Sequence, residues 1–399
     1  MPELTLLILI AFALYSLFSK AVSRSILTLP ILFVAFGFAI SAPLGAALAP
    51  EFIDEAKRLV AEITLVLVLF SDASHIRFRR LAENWKLPMR MLVIGMPLTI
   101  ALGSLVAYLL NPEAGLAMAL LTAAVLTPTD AALGQSVVSS PDVPERLSQT
   151  INVESGLNDG LALPFVLFGA VLASAGAGAA NTDGLAIQAI TQVILGPIAG
   201  IVVGWIFARV MDWAQPLDIM EEAAGGVIFL TAAFTAYTLA EVIGGNGFIA
   251  AFVGGMVFGN AYRHNVHFIR EFMDGAGEIL TMAAFLIFGA FLLPLGLEHA
   301  GWSTVVLSVL FLTVVRMLPI FLSLAGSGLP TREKLFLGWF GPRGLASILF
   351  TLLMMEAYDF PAKNELLACV SLTVALSILL HGLSATPLAK RIGKKGEAK

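Results

Sequence analysis

The sequence predicts an all-α polytopic membrane protein of about thirteen transmembrane helices, built as two inverted repeats with two crossing broken helices. Three observations predict it. The composition is too apolar for water, the apolar runs have membrane-spanning length between loops of segregated charge, and two proline-bearing interruptions fall at mid-span.

Of the 399 residues, 58% are hydrophobic and 13% charged, with a mean hydropathy of +0.90. Soluble domains carry about 25% charged residues, so the polar surface of a water-soluble fold is missing. A net charge of −5 supplies no basic footprint for nucleic acid. Cys369 is alone, which rules out an internal disulfide and leaves the redox compartment open. The start, Met-Pro-Glu, lacks the basic n-region and cleavage site of a signal peptide, so the first apolar stretch is expected to be a retained helix.

Crossing the hydrocarbon takes about 20 apolar residues. Such runs predict helices near 4–19, 26–48, 57–73, 88–110, 114–139, 147–175, 187–211, 220–243, 246–261, 277–296, 301–325, 333–356 and 364–388. The first and ninth are short. Brief loops and a tail of about ten residues predict a single transmembrane domain over 1–399, without a soluble regulatory domain. Loops after odd-numbered helices, together with the tail, hold eighteen of the 23 Lys and Arg residues. The opposite side holds Lys57, Arg58 and Lys363, and Arg316 and Arg343 fall within helices. Basic residues are enriched in cytoplasmic loops. The chain is therefore expected in the bacterial cytoplasmic membrane with its N-terminus outside and its C-terminus inside.

The fifth helix carries Thr127-Pro128-Thr129-Asp130 and the twelfth Gly341-Pro342-Arg343-Gly344. Proline removes a backbone donor and blocks the preceding turn, so both helices should unwind there. Asp130 and Arg343 lie 213 residues apart, Glu62-Ile63 and Glu278-Ile279 216 apart, and Phe33-Val34 and Phe252-Val253 219 apart. A shift of seven helices inverts topology. Inverted repeats of this kind, with interrupted helices at matching positions, build many transporters. The offsets predict repeats over 1–176 and 220–388 joined by the helix at 187–211.

An ionised side chain at the bilayer centre costs about 2.5–3.5 kcal/mol on insertion scales, so intramembrane charge points to a pathway or a partner. The candidates are Asp130, Glu154, Asp159 and Arg343, with Arg316 a fifth. In Glu154-Ser155-Gly156-Leu157-Asn158-Asp159-Gly160, Glu154 lies near Asn158 and Ser155 near Asp159, one turn apart. The resulting polar arc suits the wall of a hydrated ion site, with hard oxygen ligands for a hard cation. Unwound carbonyls around Thr129 would add oxygens. Simpler roles stand beside these: Asp130 as a cap for the second half of the fifth helix, and Glu154 with Arg343 as a structural salt bridge. Arg316 has no identified acid partner and is read as structural. Glu62, Asp72, Glu241, Glu278 and Glu356 sit near helix ends and read as interfacial; His381, a lone histidine, reads as packing.

Together the Thr-Pro-Thr-Asp, Glu-Ser-Gly-Leu-Asn-Asp-Gly and Gly-Pro-Arg-Gly motifs resemble the monovalent cation:proton antiporters of the NhaP type, over essentially the whole chain. The Asn158-Asp159 pair is the most specific element and is similar to the mark of electroneutral exchangers in that family. The resemblance implies sodium/proton exchange by alternating access, with lithium or potassium as further cations and no cofactor beyond the transported ions. It implies that cation and proton compete at Asp159. Asp130, Ser155 and the Thr129 carbonyl would complete the ligand shell, Glu154 would pair with Arg343, and Asn158 would hold the geometry. A homodimer is implied, with helices 4–6 and 11–13 moving as a core. Many relatives carry proline after the fifth-helix aspartate, where this chain has Ala131-Ala132, which puts the extent of unwinding at Thr129 in question.

Two other classes fit less well. An intramembrane aspartyl protease would pair a Tyr-Asp with a Gly-x-Gly-Asp motif. The second is absent, the single Tyr-Asp (Tyr358-Asp359) falls past the end of the twelfth expected helix, and such chemistry has no use for a buried Arg343. A cation channel would need a repeated filter loop. Sodium and potassium selectivity is not decided by residue types, because both ions take the same oxygen ligands.

Overall fold

The computed structural model describes residues 2–22, 27–78, 85–138, 140–176, 182–221, 224–264 and 267–393. Arg24, Arg79, Arg80, Lys394, Lys395 and Lys399, all counted in the loop charge, lie outside these. The described residues are helical, with no strand among them. In order, the first seven helices are α1 (Pro2–Val22), α2 (Leu29–Ala39), α3 (Ser41–Ala47), α4 (Pro50–His75), α5 (Lys86–Leu110), α6 (Gly115–Val125) and α7 (Ala131–Val138). There follow α8 (Glu145–Gly176), α9 (Thr182–Ala214), α10 (Ala224–Val242), α11 (Gly247–Ala261), and α12 (His267–Ile287), which continues through a π turn to Glu298. The last five are α13 (Trp302–Leu312), α14 (Val314–Ser323), α15 (Thr331–Trp339), α16 (Leu345–Ala357) and α17 (Lys363–Gly393).

Each expected segment falls on one of these helices or on a broken pair. By length and apolarity alone, eight described helices suffice to cross a membrane, or nine with α2 and α3 counted together. The count of thirteen therefore does not emerge from length. The fifth and twelfth segments are split into α6/α7 and α15/α16, each too short alone, and α11 has only 15 residues. The second segment, expected to be continuous, bends by 58° at Ile40. Pro43 has no N–H for the carbonyl four residues back. The eleventh is interrupted at Thr313, whose hydroxyl donates to the Val309 carbonyl at 2.7 Å. Such back-bonding bends helices.

The helices sort into two packing neighbourhoods. In one, α11 lies against α4, α9 and α10, and α2 lies against α12. Glycines let these backbones meet: a Cβ on Gly255 would strike the Phe70 carbonyl, and one on Gly37 the Leu286 carbonyl. Partners in these two contacts are separated by 218 residues (Gly37 to Gly255) and 216 (Phe70 to Leu286). The same exchange recurs in polar contacts, where Tyr15 hydrogen-bonds Glu278 and Tyr237 hydrogen-bonds Glu62. These acids, read as interfacial, are therefore tied to tyrosines of neighbouring helices. In the other neighbourhood, α6 packs between α5 and α8, α14 packs on α5, and α17 packs on α13 and α16. This second group carries the two breaks.

Candidate functional site

Both interrupted segments unwind where the prolines stand, over Leu126–Asp130 and Phe340–Gly344, and the two stretches cross. Each half-helix end exposes orphan amides or carbonyls, and at the crossing the opposite break satisfies them. The Asp130 amide donates to the Pro342 carbonyl at 2.8 Å. One carboxylate oxygen of Asp130 accepts from the Leu133 amide at 3.2 Å and the other from the Leu345 amide at 2.7 Å. A single acid thus caps the N-termini of α7 and α16 together. Arg343 does the converse, donating through Nη1 to the carbonyls of Thr127 and Pro128 beyond the C-terminus of α6. Ser347 closes the Val125 carbonyl at 2.8 Å. Negative charge stands at the positive helix ends and positive charge at the negative ends, the arrangement the helix dipole favours. Gly344 has no Cβ because Asp130 occupies that space. Ala131 opens α7, so the break ends at Asp130 even without a following proline.

From the unbroken α8, Glu154, Ser155, Asn158 and Asp159 face this crossing. All four are buried, and Asp159 is the most exposed of them at 8%. The Thr129 hydroxyl is the hub. It donates to Glu154 at 3.3 Å, meets the Ser155 hydroxyl at 3.0 Å and accepts from the Asn158 amide, which also reaches Glu154 at 3.4 Å. A hydroxyl has one proton, so Thr129 spends it on Glu154 and Ser155 donates to Thr129. Ser155 then keeps both lone pairs. Asp159, one turn along on the same face, has a buried Oδ1 with no hydrogen-bond partner. Buried polar atoms are nearly always satisfied. The exceptions at this site are Asp159 Oδ1, Asn158 Oδ1, the Nε of Arg316 and the Nε and Nη2 of Arg343. The Asp159 oxygen is the one carried by a carboxylate, one turn from the Ser155 hydroxyl.

The expected pairing of Glu154 with Arg343 is corrected by the structure. Glu154 is held by Arg316, whose two terminal nitrogens meet its two oxygens at 2.9 and 3.0 Å, with both side chains buried. Planar guanidinium matches planar carboxylate in this bidentate geometry, whereas the Nη1 of Arg343 is committed to backbone carbonyls. Arg316, read as lacking an acid, thus belongs to the site. Gly341 leaves room for its guanidinium against the second break.

Asp72 is the other residue whose place the sequence reading missed. It lines a cavity of about 1060 Å³ with His75, Arg77, Arg90, Arg146 and Gly156. On α8 the cavity is lined by Gln149, Asn152, Val153 and Gly156, and so ends against the helix turn that carries Ser155 without Ser155 or Asp159 in its lining. Asp72, Asp130 and Glu154 all lie within electrostatic reach of Asp159. The signal was an acid three residues before the end of α4, and helix position alone suggested an interface.

Comparison with known proteins gives a consistent picture. Residues 6–391 match the family described as "Sodium/hydrogen exchanger, transmembrane". A Na(+)/H(+) antiporter NhaH of Halobacillus dabanensis is 27% identical over 365 residues, covering 86% of this chain and 87% of that protein. A K(+)/H(+) antiporter NhaP2 of Shewanella oneidensis is 25% identical over 83% of this chain; the chain spans 57% of that relative's length. Two structures of the sodium proton antiporter MjNhaP1 from Methanocaldococcus jannaschii match with TM-scores of 0.73 and 0.77. They cover 97% and 98% of both chains at 19% and 20% identity, which establishes a shared fold.

Proposed function

The chain belongs to the sodium/hydrogen exchanger family, and from that premise we propose that it exchanges one monovalent cation, sodium, for one proton. Exchange would proceed by alternating access in a bacterial cytoplasmic membrane. The observation that carries this reading is the unsatisfied Oδ1 of Asp159 beside the free lone pairs of Ser155. A proton or a desolvated cation satisfies that oxygen equally, and both cannot do so together. Asp130 adds negative charge at the crossing. The Thr129 carbonyl is a further candidate ligand. Arg316 holds both oxygens of Glu154, and Asn158 has no proton to lose.

The recurring offsets support the repeats 1–176 and 220–388 around the connector 187–211. Tyr15 with Glu278 and Tyr237 with Glu62 are one contact made twice with the helices exchanged. The packing of α5–α8 with α13–α17 supports their movement as one core against the remainder, with a homodimer holding the remainder in place. Loop charge supports an external N-terminus and a cytoplasmic C-terminus. On that orientation the cavity at Asp72 opens to the cytoplasm, because the basic residues at its mouth belong to the loops rich in Lys and Arg.

The test is dequenching of a pH-sensitive dye in proteoliposomes, with sodium, lithium and potassium added in turn. Sodium should move protons, at a rate unaltered when the membrane potential is clamped. A clear potential dependence contradicts one-for-one exchange. A response to potassium alone selects the second reading, K+/H+ exchange, favoured by the NhaP2 relative.

A further inference from the structure

Asp130, Arg343 and Ser347 satisfy three of the four half-helix ends at the crossing, and the C-terminus of α15 is left. Its Trp339 carbonyl accepts from His381 Nε2 at 2.9 Å, in addition to the Gly341 amide. His381 is 2% exposed on α17, and its Nδ1 lies 3.1 Å from the Ser377 hydroxyl and 3.0 Å from the Ser377 carbonyl. The Ser377 hydroxyl in turn accepts from the Arg343 amide at 2.6 Å. The imidazole and the serine one turn before it therefore span the second break, from the last carbonyl before it to the Arg343 amide within it. With the Ser377 hydroxyl donating to Nδ1, the proton of the neutral imidazole sits on Nε2 and is donated to the Trp339 carbonyl. The Trp339 ring lies against the imidazole, centroids 5.0 Å apart, and its N–H donates to Ser384 at 2.9 Å. Residues 377, 381 and 384 form one face of α17.

The spacing has a counterpart. Ser377-x-x-x-His381 on the helix after the second break repeats Ser155-x-x-x-Asp159 on the helix after the first, at an offset of 222 residues for both members. Tyr15 and Tyr237 are separated by the same 222. In each case the serine hydroxyl touches the break beside it. At the first break the following acid keeps an unsatisfied oxygen; at the second, an imidazole N–H closes a backbone carbonyl.

We propose that His381, acting with Ser377, is a positioning residue for cation binding. It fixes the second break, and through Arg343 and the Asp130 cap it sets the spacing of oxygens around Asp159. This rests on the exchange reading above. Neither residue touches the cation; each acts through backbone that Asp130 and Arg343 also hold.

The test measures apparent KM and maximal rate for sodium-driven proton movement in proteoliposomes, with thermal melting in detergent. The variants are His381→Ala, His381→Gln and Ser377→Ala. His381→Ala and Ser377→Ala should each raise KM roughly tenfold, the lower end for partners of metal ligands, with maximal rate changed less. His381→Gln, whose amide can donate to the Trp339 carbonyl, should return KM most of the way. Were His381→Ala not to fold, Ser377→Ala and His381→Gln still decide the matter. A lowered melting temperature with unchanged KM would reduce His381 to packing and overturn the proposal, as would a glutamine variant no better than alanine. A wild type that moves no protons with any cation would instead refute the exchange reading itself.

Discussion

The crossing of the two breaks and the glycine-lined contacts of α11 with α4 are both buried, and they solve opposite problems. At the glycine contacts continuous helices have closed their own hydrogen bonds, so the backbones meet directly, Gly255 on Phe70 and Gly259 on Ser74. At the crossing the helices are open, and side chains of Asp130, Arg343, Ser347, Ser377 and His381 complete the backbone. The first region is held by shape and tolerates no added atom. The second is held by complementary charge, and polar atoms remain unsatisfied there, the Asp159 carboxylate oxygen among them. Stability and transport should therefore separate between the two regions under mutation.

The largest effect is expected at Asp159. Asp159→Asn keeps shape and hydrogen-bonding capacity but neither ionises nor releases a proton. Transport should vanish in proteoliposomes while the detergent melting curve stays close to wild type. Retained sodium-driven proton movement would demote Asp159 to a structural residue.

Next comes the buried pair. Arg316→Ala strands Glu154, and breaking such a pair costs about 3–5 kcal/mol. Adding Glu154→Gln removes the stranded charge and should recover part of the loss. The same Glu154→Gln added to Arg343→Ala should recover nothing, because Arg343 serves the carbonyls of Thr127 and Pro128. Melting curves of the two cycles decide it; equal recovery in both would mean that Glu154 is shared between the arginines.

A smaller effect is expected across the molecule. Gly255→Ala places a methyl against the Phe70 backbone, and overpacking of this kind costs about 1–3 kcal/mol. Melting should fall while the apparent cation affinity of the surviving protein is unchanged. A changed affinity with unchanged melting would show that the two regions are not separable.

Much of this fold was legible because membrane-spanning length and loop charge are properties of contiguous sequence. Pro128 and Pro342 announced their breaks for the same reason. The 58° bend at Ile40 had its signal in Pro43, hidden because an apolar run of the right length reads as one helix. The partner of Glu154 was not legible. Arg316 and Arg343 both lie within predicted helices, and the choice between them depends on which side of α8 each helix packs. Asp72 was placed by its nearness to a helix end, whereas its surroundings follow from the approach of α4 to α8 at Gly156. Asp130 was read both as cap and as ligand; the cap was foreseeable from Pro128, its doubling onto α16 was not.

The central claim is that cation and proton share one carboxylate oxygen, and the pH dependence of the apparent cation affinity tests it most directly. Competition by one proton at one site has a fixed slope. Above the pKa of Asp159 the apparent KM should be flat. Below it, KM should rise tenfold for each pH unit, about 1.4 kcal/mol per unit, while the maximal rate at saturating cation changes little until protons become abundant on both sides. The measurement is initial rate against sodium concentration in proteoliposomes at pH values spaced across that range, repeated with the potential clamped. A tenfold-per-unit limb that is insensitive to potential is the predicted result; an apparent KM that does not move with pH would contradict shared occupancy of Asp159.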